Sequence, residues 1–263
     1  MNAEAEPAAS RRARFVVAYD GARFHGFAEH GDTRTVMGEL RAAIERVAGT
    51  PVSLVGAGRT DAGVHAWGQV VSGDLPADTD LERLAHRVNR MCAPEVVVRS
   101  VSWAADPEFS ARFSAVYRHY RYLVLNSTVP VPALAGRVWH VPAPLSLPAL
   151  RLACDPLIGE HDFSSFCRRP KAVADQPVAS LRRRVMVAQW TPVESDFGEL
   201  LRFEIRANAF CHQMVRAIVG TMIDVGHGKL HAGDIGEILR QKDRAAAGAV
   251  APPDGLTLWE VGY

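Results

Sequence analysis

The sequence predicts an α+β protein built of two related halves, each with strands and helices that cover a sheet. Short Val- and aromatic-rich runs bounded by turn residues mark strands in both halves. Apolar residues recurring at helical spacing mark helices between them. The elements follow one another in a similar order in each half, although no literal sequence repeat is present.

The first strand is expected over Arg14 to Tyr19, a Val-rich run that stops at the turn pair Asp20-Gly21. Thr35 then opens a helix in which Val36, Leu40, Ile44 and Val47 share one face, and Gly49 ends it. Strands are expected over Val52 to Ala57 and Trp67 to Gly73, with a Gly-rich polar loop at 58 to 65 between them. A helix from Asp80 to Met91 and a strand at Val96 to Trp103 complete the first half.

In the second half a strand runs from Val116 to Leu125, and Leu147 to Leu157 reads as a helix. Val185 to Trp190 and Leu200 to Ala207 read as antiparallel partners around a turn near Ser195 to Gly198. Phe210 to Val225 reads as a long helix, Asp234 to Gln241 as a short one, and Leu256 to Val261 as the closing strand. Residues 1 to 10, rich in Ala and Glu, read as a short disordered tail. The boundary between the halves falls at 105 to 113, giving an N-terminal half at 11–108 and a C-terminal half at 109–263. No Gly/Ser linker separates them. Val129 to Pro148, with five prolines, and Arg168 to Ser180 lack periodicity.

Bulk properties narrow the function without choosing it. The 263 residues carry 30 Lys and Arg against 29 Asp and Glu, so the placement of charge matters more than its sum. Cys92, Cys154, Cys167 and Cys211 form no C-x-x-C pair, and the histidines form no H-E-x-x-H pair, so neither a metal nor a disulfide framework is expected. The thiols read as buried and free. No apolar run reaches the roughly eighteen residues of a membrane span. A cytoplasmic protein is expected.

Four stretches hold residues able to do chemistry. Gly58-Arg59-Thr60-Asp61-Ala62-Gly63-Val64-His65-Ala66 gathers a cation, a hydroxyl, a carboxylate and an imidazole on one loop. Its glycines allow close approach to a ligand. The same run also fits a plain turn, with Asp61 as turn residue and Arg59 as its surface partner. Arg112 to Tyr122 interleaves aromatic and basic residues, which suits base stacking and phosphate binding but also a cross-strand ladder. Asn208 to Arg216 places His212 and Arg216 one helical turn apart. A cation in so apolar a helix needs a partner, for which Asp61 is a candidate, or must reach water. Arg168, Arg169, Lys171, Arg182, Arg183 and Arg184, opposed in sequence only by Asp175, form a basic cluster suited to a phosphate backbone.

Together these stretches resemble the tRNA pseudouridine synthase A family along nearly the whole chain. The carrying blocks are Tyr19-Asp20-Gly21 with Phe24 and Gly26, Gly58 to Ala66 with Gly68-Gln69-Val70, and Ala111 to Ala115 with Arg118, Tyr120 and Tyr122. His161 to Phe166, Ala207 to Phe210, Met214 to Gly220, Asp243-Arg244 and Gly255-Leu256 continue them. The resemblance implies two RRM-like, ferredoxin-like halves with mixed, mainly antiparallel sheets. It implies a cofactor-free, metal-free homodimer that isomerises uridine to pseudouridine in the anticodon stem-loop of tRNA, at positions 38, 39 and/or 40. Asp61 matches the catalytic aspartate, Arg216 its cationic partner and Arg59 a residue assisting base extrusion. Tyr120 matches the tyrosine stacking on the target base, and Leu256 an apolar residue lining the pocket.

The chain departs from the family pattern at Gly26-Phe27-Ala28, Thr35-Val36-Met37 and Met91-Cys92, where Gly-Trp-Gln, Thr-Val-Gln and Leu-Pro are usual. Two other functional classes compete. A non-catalytic RNA-binding module is disfavoured by the intact Asp61, Arg59, Tyr120 and Arg216. A carboxylate glycoside hydrolase would need a second acid, which nothing near Asp61 in sequence supplies.

Overall fold

A computed structural model of the chain describes residues 9–168 and 180–263. The chain forms two compact units, Met1–Val116 with Leu258–Tyr263, and Tyr117–Thr257.

The first unit contains β1 (Ser10–Tyr19), α1 (Val36–Ala48), β2 (Leu54–Gly56), β3 (His65–Pro76), α2 (Leu81–Cys92) and β4 (Val96–Trp103). β1 lies between β4 and β3, antiparallel to both, and β2 pairs the far part of β3. Alternation along β1 buries Ala13, Phe15, Val17 and Tyr19 on one face. Phe15 and Val17 stand opposite Val71 and Gln69, so the same face continues across β3.

The helices cover that face because their apolar residues fall every third or fourth position. α1 buries Val36, Leu40 and Ile44, and α2 buries Leu84 and Val88. Each buried aliphatic side chain contributes about 2 kcal/mol. The Thr35 hydroxyl accepts from Gly38 N at the start of α1, and Gly49, at φ 72, ends it. Asp80 caps α2 by accepting from Arg83 N. The Asn89 amide bonds both backbone groups of Val98 and so docks α2 onto β4.

The other face of β1 is crossed by residues 105–116. Ala111 N donates to the Ser72 hydroxyl at 3.0 Å, and Tyr263 OH donates to Ala111 O at 2.8 Å. The Arg14 guanidinium stacks over Tyr263 at 4.8 Å and over Phe109 at 5.8 Å. These contacts keep 109–116 and 258–263 with the first unit, on the other side of the division from the one expected. They are long-range, and no local pattern announces them. Ser10, expected in the tail, begins β1; residues 1–8 lie outside the described residues.

The second unit contains β5 (Tyr117–Asn126), β6 (Trp139–Val141), α3 (Leu147–Leu152), β7 (Gly159–Asp162), β8 (Arg182–Val193), β9 (Glu199–Ala207), α4 (Met214–Gly226) and α5 (Asp234–Gln241). Its strands run in the order β5, β9, β8, β7, all antiparallel, with β6 parallel beside β5. The α+β class and the mixed, mainly antiparallel sheets agree with the expectation. β10 (Leu256–Gly262) closes the chain, and its neighbour in the first unit is β3.

Two helices differ from expectation. α3 ends at Leu152, and Asp155–Leu157 forms a separate short 3-10 turn around Pro156, which has no backbone N–H to continue a helix. α4 starts at Met214, not Phe210, because Gln213 adopts a left-handed φ of 64°. His212 therefore lies outside the helix, so helical spacing does not set its place relative to Arg216. β6 and β7 were not expected; at three and four residues they are too short for a periodicity to show.

One face of the second sheet packs its apolar residues under the helices. Trp190 Nε1 donates to the Met222 sulfur of α4, and Arg151 Nε of α3 donates to Trp190 O. The other face carries a charged hub. Glu204 accepts from Arg121 at 2.7 Å and from the Gln189 amide at 3.1 Å, with Arg202 at 3.3 Å and His119 at 3.4 Å. Burial alone would raise the Glu204 carboxyl; Gln189, Arg202 and Arg121 outweigh it and hold the group below its usual range.

A depressed folded pKa contributes stability above the ordinary glutamate pKa, and this is lost as pH falls through the folded value. Glu204→Gln is therefore expected to destabilise by about 1–2 kcal/mol at neutral pH, since the arginines are partly solvated, with the difference shrinking under acid. Urea melts at neutral and acidic pH check this, and an equal loss at both removes the charge from the account.

Among the described residues no helix is long and apolar enough to cross a membrane. Among them, too, no three His, Cys, Asp or Glu side chains gather as a metal site. All four cysteines are free, but only Cys154 and Cys167 are buried; Cys92 and Cys211 are half-buried.

Candidate active site

The loop between β2 and β3 is anchored on both arms and at its centre. On its upstream arm, Ala57 N donates to Val70 O at 2.8 Å. The fully buried Gln69 side chain donates to Gly58 O at 2.9 Å and accepts from Val70 N at 3.2 Å. At its centre, Thr60 O accepts from Phe27 N at 3.1 Å. The Thr60 hydroxyl meets Tyr19 OH at 2.7 Å in the interior. Downstream, Val64 N donates to Asp61 O at 3.2 Å, closing a tight turn in which Gly63 has φ 81°.

Two glycines let neighbouring backbone press against this loop. A Cβ on Gly21 would sit 2.0 Å from Val64 O, and Gly26, at φ 100°, faces Thr60 O. His65 Nδ1 lies 3.2 Å from Gly21 N and 3.1 Å from the Asp20 carboxylate. One ring nitrogen serves one of these at a time: unprotonated it accepts from Gly21, protonated it donates to Asp20. Within this frame Arg59 is exposed and Asp61 half-buried. Charge and accessible surface are thus presented on a loop whose backbone is fixed.

Two of the departures from the family pattern meet beside the loop. The Phe27 ring and the Met37 methyl both converge on Gly56, where a Cβ would lie 2.3 Å and 3.4 Å from them. Both side chains are buried, and Met37 N donates to Phe27 O at 2.9 Å. They are one repacked apolar spot rather than two separate losses.

The second unit holds the remaining predicted residues. Arg216, in the first turn of α4, donates from Nε to Ala251 O at 2.7 Å, and its own carbonyl accepts from Ala251 N. Tyr122 OH donates to Pro252 O at 2.8 Å. Burial pushes the Tyr122 phenol well up, and the nearby Arg216 charge opposes that shift. Arg216, Tyr122 and the 251–252 backbone are therefore one cluster. Leu256 is buried just beyond it, with Leu123 N donating to Gly255 O. Tyr120, two residues from Tyr122 and on the same strand face, packs edge-on against Phe210 at 4.9 Å.

The basic cluster is less one-sided than its sequence. Arg182 and Arg184 stand opposite Asp162 and Glu160 on β7, and Arg182 Nε bonds Glu160 at 3.0 Å. Arg183 turns its guanidinium to Ser180 O. Arg168 is exposed and donates its backbone N–H to His212 O. Arg169 and Lys171 lie outside the described residues.

Sequence reasoning missed the anchors of the loop. Tyr19 and Gln69 stood within matched blocks, but nothing local gave them partners. Cys167 and Cys211 were also missed as neighbours: their mutual interaction lowers the Cys211 thiol and, together with burial, raises that of Cys167.

A family model described as tRNA pseudouridine synthase matches residues 15–114 and 153–263. The tRNA pseudouridine synthase A of Brevibacillus brevis is 39% identical over 253 residues, covering 96% of this chain and 100% of that protein. That of Cereibacter sphaeroides is 40% identical over 247 residues, covering 94% of each. The one from Methylocella silvestris is 37% identical and covers 96% of this chain and 98% of its own. Two long matched segments, and relatives this similar from end to end, show that the chain belongs to the tRNA pseudouridine synthase A family and is a pseudouridine synthase, an isomerase.

Proposed function

We propose that the enzyme isomerises uridine in the anticodon stem-loop of tRNA, at positions 38, 39 and/or 40, using the Asp61 carboxylate and no cofactor. The observation that carries this reading is the loop itself: a carboxylate on a backbone pinned from both arms and from Thr60. The reaction breaks the C1′–N1 bond, turns the uracil and joins C1′ to C5. The C5 proton is then lost and N1 gains one, so nothing is added or removed overall. A carboxylate assists departure of the base, as nucleophile at C1′ or by helping proton removal toward a glycal. The uracil anion spreads over its two carbonyls, so no paired acid is required. Exclusion of water keeps the freed base from being lost.

The other roles rest on the family resemblance. Arg216 supplies the cation that favours the charged form of the carboxylate. Tyr120 stacks on the target base and Leu256 lines its pocket. Arg59, exposed next to Asp61, assists extrusion of the base, which costs a few kcal/mol of stacking. The working unit is a homodimer.

The test is a set of unmodified tRNAs carrying uridine at only one of positions 38, 39 and 40, assayed by carbodiimide labelling of pseudouridine. Product at one or more of these sites is expected. Product confined to another arm of the tRNA rules out the anticodon reading and leaves the isomerase intact.

We assign tRNA-backbone binding to Arg168, Arg169, Lys171, Arg182, Arg183 and Arg184. Because Glu160 already engages Arg182, the double variant Arg182→Ala/Arg183→Ala is expected to weaken tRNA affinity only about 3- to 10-fold at 0.15 M salt, with a shallower salt dependence. Filter binding across a salt series reads both, and an unchanged slope removes this cluster from the interface.

A further inference from the structure

We propose that Tyr19 and Thr60 are positioning residues for the isomerisation, their shared hydrogen bond setting the direction in which the next residue, Asp61, presents its carboxylate. This rests on the reading of Asp61 as the catalytic group.

The geometry is unusual for two residues with apolar alternatives. Tyr19 is 5% exposed and Thr60 7%, and their hydroxyls meet at 2.7 Å. Phenylalanine and valine would fill the same volumes. A bonded pair of buried hydroxyls gains little net stability over an apolar pair of the same shape. What the pair adds is direction: a hydrogen bond fixes an angle as well as a distance, and packing does not.

The bond also joins the right two parts. Tyr19 ends β1, a strand paired on both sides and therefore rigid, and its ring stacks on Phe27 at 5.9 Å. Thr60 has no strand partner of its own. It is held through its carbonyl by Phe27 N and through its hydroxyl by Tyr19. These two bonds come from different atoms of the residue and so restrict rotation of its backbone. Asp61 follows by one peptide bond, and its carbonyl is tied forward to Val64 N. Releasing the Thr60 hydroxyl leaves that residue held through its carbonyl alone, so the peptide leading to Asp61 can tilt while the loop stays in place.

The test compares Tyr19→Phe, Thr60→Val, Thr60→Ser and the Tyr19→Phe/Thr60→Val double variant. Single-turnover rates with excess enzyme are measured alongside tRNA affinity and thermal melting. Tyr19→Phe and Thr60→Val are each expected to slow the chemical step about 10- to 100-fold, in line with misplacement of a reacting group by a fraction of an ångström to 1 Å. Affinity should stay within about twofold, because phosphate contacts dominate binding. The double variant should be no slower than the worse single, since both remove one shared bond. Thr60→Ser keeps the hydroxyl and should recover most of the rate.

A purely structural role would lower the melting temperature and leave the rate per folded molecule unchanged, and that result overturns the proposal. If Thr60→Val does not fold, Tyr19→Phe, whose ring packing is unaltered, decides alone. Wild-type rates in Tyr19→Phe with an inactive Asp61→Asn enzyme discard the positioning role and keep Asp61 as catalyst. An active Asp61→Asn enzyme overturns both.

Discussion

Asp61→Asn is expected to reduce turnover by at least about 10³-fold, equivalent to roughly 4 kcal/mol of lost transition-state stabilisation. The amide has nearly the shape of the carboxylate, so the loop should keep its anchors: Gly58 O to Gln69, Thr60 to Tyr19 and Phe27, Val64 N to Asp61 O. None of these uses the Asp61 side chain. What goes is the negative charge, and an amide can act on the proposed reading neither as nucleophile nor as proton acceptor. Affinity should move the other way. On the proposed reading a negative charge is removed beside bound RNA, so tRNA binding should be unchanged or slightly tighter. Single-turnover assays and filter binding on the same preparation separate the two effects. Residual turnover above about 1% of wild type would show that the carboxylate only tunes the reaction. Equal loss of rate and affinity would make Asp61 a structural residue.

The parts of this protein legible in the sequence are those decided by neighbours in the chain. α1 is the clearest case: Thr35, the spacing of Val36, Leu40 and Ile44, and Gly49 each act within one or two turns, and start and stop both came out as expected. β4 and α5 match residue for residue for the same reason. The start of α4 was illegible because Gln213 adopts a conformation that glycine usually takes, so the sequence carries no warning. The charge of the basic cluster was misjudged because Glu160 and Asp162 oppose it only through strand pairing, some twenty residues away.

The candidate site divides along the same line. The Gly58–Ala66 motif was readable, and its family resemblance was correct. Its supports were not. Tyr19 and Thr60 are 41 residues apart, and only the register of β1 on β3 brings the strand end to the loop. Gln69 was visible within the matched Gly68-Gln69-Val70 block, yet its bond to Gly58 O depends on β3 folding back beside the loop's upstream arm.

Gly220→Ala should destabilise the protein by about 2–3 kcal/mol, although alanine is the better helix former. Gly220 is buried in the middle of α4. Exchange for alanine gains about 1 kcal/mol of helix propensity. Against this, the added Cβ would lie 1.8 Å from Ala249 O, 2.9 Å from its carbonyl carbon and 3.2 Å from Ala251 N. These are backbone atoms, which cannot rotate aside, so the helix or the 249–251 segment must move by more than an ångström. Overpacking of this kind costs about 1–3 kcal/mol in ordinary cores and more where backbone is displaced. The clash therefore wins. Its consequence reaches the site, because Ala251 exchanges two hydrogen bonds with Arg216 and Pro252 holds the Tyr122 hydroxyl. A lower urea midpoint is expected together with a rate loss of about tenfold in the fraction that stays folded. Gly233→Ala is the control: a Cβ there meets nothing within 4 Å, and stability should stay within about 0.5 kcal/mol. A Gly220→Ala enzyme as stable and as active as wild type would mean that the 249–251 segment yields freely. Arg216 would then owe its position to α4 alone.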